Sequence, residues 1–92
     1  MPHDVLWTIG RNVRWLRVAA GMSQAALAEK AGMERSSIVR LEQGRRNPTI
    51  LILCRIAKVL QTDVQELLVS APERERTRMR IKVGRRPKPI EG

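Results

Sequence analysis

The sequence predicts an all-α protein, a bundle of five short helices followed by a short basic C-terminal extension. Three observations lead there. Apolar residues recur at steps of three and four from Leu6 to Leu68, the spacing that gives a helix one core-facing stripe. Each of these segments opens on a residue suited to a helix N-terminus, namely Asp4, Ser23, Glu34, Thr49 and Asp63, and the first three close on Gly21, Gly32 and Gly44. A chain of 92 residues has room for one small domain, so residues 1–70 are read as that domain and residues 71–92, around the boundary marked by Pro72, as a tail.

The first helix runs from about Asp4 to Ala20, with Leu6, Ile9, Val13, Leu16 and Ala20 on its inward side. Trp7, Arg11, Trp15 and Val18 form a second stripe on it, unusual in a chain with no Phe or Tyr. Its two rings either lie flat over the edge of the core or mark a contact with another protein or with the tail. The second helix follows Ser23, whose hydroxyl can accept from N–H groups left unpaired in a first turn, and it buries Leu27, Ala28 and Ala31. Gly32 stops it. Glu34 then sets a carboxylate at the N-terminus of a third helix, Arg35 to Gln43, in which Ile38 and Leu41 are spaced to bury together. Thr49 caps a fourth helix, Ile50 to Leu60, with Leu53, Ile56, Ala57 and Leu60 inward. Asp63 caps a fifth, with Glu66 as its capping-box partner, and Val64, Leu67 and Leu68 close the core. Cys54 is expected to be a small buried hydrophobe. As the single cysteine it provides no intrachain disulfide framework and fits a reducing cytoplasm.

The third helix leaves Arg35, Ser36, Val39, Arg40 and Gln43 on its outward side. That set suits a DNA major groove. Arginine bonds a guanine edge through two hydrogen bonds, serine serves either base, and valine touches a thymine methyl. Two short helices joined by a tight turn, the second aimed outward, follow the logic of a helix-turn-helix. Arg35, Ser36 and Arg40 are the expected base contacts and Val39 the methyl contact. Just beyond, Gly44-Arg45-Arg46-Asn47-Pro48 sets two arginines and an asparagine beside that helix. They read as phosphate contacts, which position without carrying sequence information, or else as a solvated turn.

The run MSQAALAEKAGMERSSIVRLEQGRRNP, followed by LCRIAKVL and VQELL, resembles the Cro/repressor (XRE-type) helix-turn-helix family in order and spacing, over Ile9 to Leu68. The resemblance implies a lambda-repressor-like five-helix bundle that binds double-stranded DNA, with phosphate contacts from Arg45, Arg46, Asn47 and also Gln24. It further implies a salt bridge between Arg17 on the first helix and Glu42 on the third, since a partly buried charge needs a partner. The alternative is a solvated surface pair of little energetic weight. On the fourth helix the sequence departs from the family's usual pattern: Leu51, Ile52 and Val59 stand where polar residues are more common. With Ile50 and Cys54 they make this helix apolar nearly all round, and such a helix is normally covered on more than one side. Leu51, Ile52, Arg55 and Val59 are therefore expected in a homodimer interface, the alternative being burial against the fifth helix or the tail.

The net charge is +9, with ten basic and six acidic residues in 1–69 (+4) and eight basic and three acidic in 70–92 (+5). A basic chain is drawn to polyanions, nucleic acid being the usual one. In the tail, Met79, Ile81 and Val83 alternate with Arg78, Arg80 and Lys82, a strand periodicity. A lone strand must pair, for instance with the same strand of a second subunit; the other reading is a disordered basic arm that orders on DNA. No apolar run approaches the ~20 residues of a membrane span, and the N-terminus has no signal-peptide core, so a cytoplasmic protein is expected. No Cys/His cluster offers metal ligands, and no cofactor is expected. An enzyme is disfavoured, because the only histidine is His3 and there is no phosphate-binding glycine loop, nucleophile–base constellation or pair of carboxylates in an apolar setting. The expected function is sequence-specific transcriptional regulation, by a repressor acting as a homodimer on a palindromic operator. Two readings compete with it: an antitoxin that binds a toxin and its own promoter, and a restriction–modification controller protein.

Overall fold

The computed structural model describes residues 3–70. Four α-helices and a 3₁₀ turn follow one another: α1, His3–Ala19; α2, Gln24–Ala31; α3, Arg35–Glu42; α4, Ile50–Val59; and the 3₁₀ turn Val64–Leu67. Helix α3 packs against both α1 and α2, α4 packs on α2, and the 3₁₀ turn lies on α1 and α4. The end of the described chain thus closes the bundle against its first helix. Among the described residues there is no strand. The alternating Met79, Ile81 and Val83, and with them the tail, lie outside the described residues.

The fifth helix expected after Asp63 is this short 3₁₀ turn. Asp63 has the extended backbone of a cap, but its side chain makes no capping hydrogen bond. The reason lies on α1. Buried Asn12 donates its side-chain amide to the Leu67 carbonyl at 2.9 Å and to the Val69 carbonyl at 2.7 Å. Those bonds satisfy the carbonyls against α1 instead of leaving them to a further helical turn. At the other end α1 begins at His3, so Asp4 lies in its first turn and not at its cap.

All four described α-helices stop in the same way. After α1, the Gly21 N–H donates to Val18 and the Met22 N–H to Arg17; after α2, Gly32 to Glu29 and Met33 to Ala28; after α3, Gly44 to Leu41 and Arg45 to Arg40; after α4, Gln61 to Lys58 and Thr62 to Ala57. This paired pattern needs one residue in the left-handed region. Three helices place glycine there, and the fourth places Gln61, at φ 58°. Glycine also serves a second purpose in this fold, which is room. A Cβ on Gly10, in mid-α1, would sit 2.5 Å from the Leu41 carbonyl oxygen and 2.7 Å from that of Glu42, so α1 and the C-terminal end of α3 meet backbone to backbone.

The core consists of Ile9 and Val13 from α1, Leu27, Ala28 and Ala31 from α2, Ile38 and Leu41 from α3, Leu53, Ile56, Ala57 and Leu60 from α4 and its cap, and Leu67. Leu16 and Val64 pack at its edge. Three expected core residues are exposed instead: Ala20, Cys54 and Leu68. Ala20 lies past the end of α1, and Leu68 past the 3₁₀ turn. Cys54 follows buried Leu53 and so points about 100° away from it, to the side of exposed Leu51 and Lys58. Helix α4 is apolar nearly all round in sequence, yet among the described residues only one of its faces is covered.

A non-glycine residue in the left-handed region costs about 1–2 kcal/mol, of which a glycine's extra unfolded-state freedom returns about half. Gln61→Gly is therefore expected to raise stability by about 0.5–1 kcal/mol, seen as a thermal midpoint several degrees higher by circular dichroism.

Candidate nucleic-acid interface

Helix α2, the turn Gly32-Met33-Glu34 and α3 form a compact hairpin. The Ser23 hydroxyl accepts from the Ala26 N–H at 2.9 Å and starts α2. Glu34 starts α3 through its extended backbone, without a side-chain capping bond. Burying Ile38 and Leu41 sets the roll of α3, and the opposite side of the helix follows from it: Arg35, Ser36, Arg40 and Gln43 are exposed and Val39 is half-buried. Neither Arg35 nor Arg40 has a side-chain partner among the described residues, so both guanidinium groups are available to a ligand. Beyond α3, Arg45 and Asn47 are exposed and Arg46 is half-buried.

The roll of α3 is locked from behind. Arg17 of α1 donates Nε to Glu42 Oε2 at 2.6 Å and Nη2 to Glu42 Oε1 at 3.0 Å. Its Nη1 donates to the Met22 carbonyl at 2.8 Å. Gln24, the first residue of α2, donates Nε2 to Glu42 Oε1 at 3.1 Å. One carboxylate thereby joins three helices. The side chains of Arg17 and Glu42 are only 11% and 4% exposed, which makes this an interior ion pair and not a surface one. Gln24 still has its amide oxygen and second N–H at the rim of the interface.

Three contributors carry no signal in the reading of the sequence. Gly10 provides the close approach, Asn12 anchors the end of the bundle, and exposed Arg14 joins Gln24, Val39 and Gln43 around an open groove of about 360 Å³ beside α3. Arg14 lies one turn before Arg17, and only the packing of α3 on α1 brings it to this groove. The residues expected in a homodimer interface share the outer flank of α4. Leu51 is 77% exposed, Ile52 and Val59 are half-buried, and Arg55 reaches back to donate to the Ala31 carbonyl at 3.3 Å, at the C-terminal end of α2. Among the described residues no group of three or more His, Cys, Asp or Glu gathers as a metal site, and no helix is long and apolar enough to cross a membrane.

A helix with unpaired arginines on its outer side, set at a steep turn on a second helix and locked from behind, defines a helix-turn-helix DNA-binding domain. The chain belongs to the HTH_3 helix-turn-helix family, whose model matches residues 13–67. It is 37% identical over 57 residues to an uncharacterized HTH-type transcriptional regulator of Archaeoglobus fulgidus, covering 62% of this chain and 81% of that one. It is 38% identical over 65 residues to control protein C.SmaI of Serratia marcescens, covering 71% and 77%. Among solved structures it resembles the restriction-modification controller protein C.AhdI from Aeromonas hydrophila, with a TM-score of 0.66 and 35% identity over 67% of this chain and 94% of that one. The protein is thus a DNA-binding transcriptional regulator.

Glu42→Leu leaves Arg17 buried without its partner and is expected to cost about 3–5 kcal/mol in urea unfolding. Adding Arg17→Met in the same chain should recover more than half of that loss, since an apolar pair needs no charge compensation.

Proposed function

We propose that this regulator is a repressor that binds a palindromic operator as a homodimer, in the cytoplasm, with α3 of each subunit in a major groove. In this reading Arg35, Ser36 and Arg40 contact base edges and Val39 a thymine methyl, while Gln24, Arg45, Arg46 and Asn47 bond phosphates. The observation that carries it is the pair of exposed, unpartnered arginines on the outer side of a helix whose inner side is bonded to two other helices. Residues 1–70 do the reading, and the basic residues 71–92 add attraction to the duplex.

The second subunit joins through α4. Ile50 and Leu51 are 64% and 77% exposed, and Ile52 and Val59 extend the patch toward the core. Neighbouring large apolar side chains left in water favour association. A two-fold pairing of this kind sets two recognition helices about one helical turn, ~34 Å, apart. A second reading, a restriction–modification controller, is favoured by the similarity to C.SmaI and C.AhdI. The two part on which genes the operator controls, those of a restriction–modification system in the second reading.

Selection from a random duplex library, followed by gel-shift stoichiometry, is expected to return a palindrome bound by two copies. Arg40→Ala should cost about 1–3 kcal/mol and relax one operator position. Arg46→Ala should weaken all sequences alike and reduce the salt slope by about one. Equal losses with unchanged sequence preference in both variants would sink this division of roles. Leu51→Glu should give a monomer in sedimentation equilibrium with its helical content intact, and a two-copy gel shift should fall to one.

A further inference from the structure

The chain contains two aromatic residues, Trp7 and Trp15, and neither is in the core. Trp7 is 51% exposed, Trp15 38% and Val18 59%. With Arg11 and Arg14 they fall on one outer face of α1, at steps of three and four, along about 16 Å of helix. The Arg11 guanidinium stands 4.6 Å over the Trp7 ring, which holds that cation in place on the face. Toward its C-terminal end the face opens into a groove of about 490 Å³ lined by Arg11, Arg14, Trp15, Val18 and Ala19, with Glu42 at its side. The Glu42 charge is already matched by Arg17, so what the groove offers is apolar surface and two cations.

Charge decides among the occupants. A second copy on the same face would gather two Arg11 and two Arg14 in one interface, where the lining carboxylate, Glu42, is already matched by Arg17. The chain's own residues 70–92 carry +5 and would be repelled. A duplex would satisfy the arginines but leave Trp15 and Val18 without a use. We propose that the outer face of α1 docks an acidic amphipathic helix of a partner protein, its apolar side chains on Trp15, Val18 and Ala19 and its carboxylates on Arg11 and Arg14. Tryptophan and arginine are the residues that most often dominate such contacts, and helix-in-groove recognition reads anchors at this spacing. Arg14 also lines the groove beside Val39 and Gln43, so an occupied face withdraws one cation from the DNA side.

The test uses the full chain as bait for a phage-displayed library of 16-residue peptides, followed by titration of the winning synthetic peptide. The expected winners carry Asp or Glu with Leu, Met or Phe at helical spacing. Trp15→Ala and, separately, Val18→Glu should each weaken the peptide about tenfold or more. Both variants should keep the helical circular dichroism signal and bind the operator palindrome within about twofold of the parent, since neither residue lies on the DNA side. No enrichment, basic winners, or a peptide indifferent to both variants overturns the proposal. Loss of the dimer in either variant would instead assign the face to a second copy, and a loss of operator affinity would assign it to DNA; each result also overturns the proposal while leaving the α3 reading intact.

Discussion

Glu42 ties α3, the second helix of the helix-turn-helix, to the rest of the domain. It is the last residue of α3, yet it accepts from Arg17 of α1 and from Gln24 of α2. An ion pair this deeply buried gives back in attraction little more than it loses in desolvation, so its weight in net stability is modest. Its weight in geometry is not. Arg17 presents a planar fork with fixed donor directions, and turning α3 by one residue would strip all three hydrogen bonds at once. The same guanidinium closes the end of α1 through the Met22 carbonyl, so the ends of two helices are set by one side chain.

Attraction alone would not bring the helices this close. The C-terminal end of α3 runs along a stripe of α1 one turn at a time. Gly44 packs over the Trp7 backbone, where a Cβ would lie 3.2 Å from Trp7 Cα, and the Leu41 and Glu42 carbonyls sit over Gly10. Arg14 comes next, beside Glu42 and Gln43, and Arg17 closes the stripe. Two missing side chains permit the approach and one ion pair fixes its roll. Any bulk at Gly10 would have to be absorbed by backbone, which has no rotamer to give.

Much of this fold was legible because its punctuation is chemical. Glycines that stop α1, α2 and α3 and hydroxyls that start α2 and α4 act through their immediate neighbours, so a local reading finds them. The inward residues of α2, α3 and α4 follow from period alone. The failures have a common cause. Residue type and periodicity report how apolar a residue and its surroundings on its own helix are, and not what covers them, so Cys54, from its type, and Leu68, from its spacing, read as buried and are exposed. The 3₁₀ turn replaced a helix because of Asn12, 55 positions away. Gly10 looks like an ordinary helix weakness until α3 is laid on it. On the interface, the exposure of Arg35, Ser36 and Arg40 was legible as the complement of Ile38 and Leu41, whereas Arg14 belongs to the same surface only through tertiary packing.

The small core leaves apolar surface on two helices, and the charge around each patch separates them. At the N-terminal end of α4, Ile50 and Leu51 are aliphatic and adjacent, and nearby Arg55 is engaged by the Ala31 carbonyl. A two-fold axis there would bury the aliphatic side chains of one copy against those of the other, with Arg55 at the edge of the patch. On α1, Trp7 and Trp15 are interleaved with Arg11 and Arg14, and a two-fold axis there would set like charges face to face. In the proposed reading, α4 therefore meets a second copy and α1 a surface of opposite sign. Arg14 borders both the tryptophan groove and the groove beside α3, so in the proposed reading a partner on α1 and a duplex on α3 share one cation.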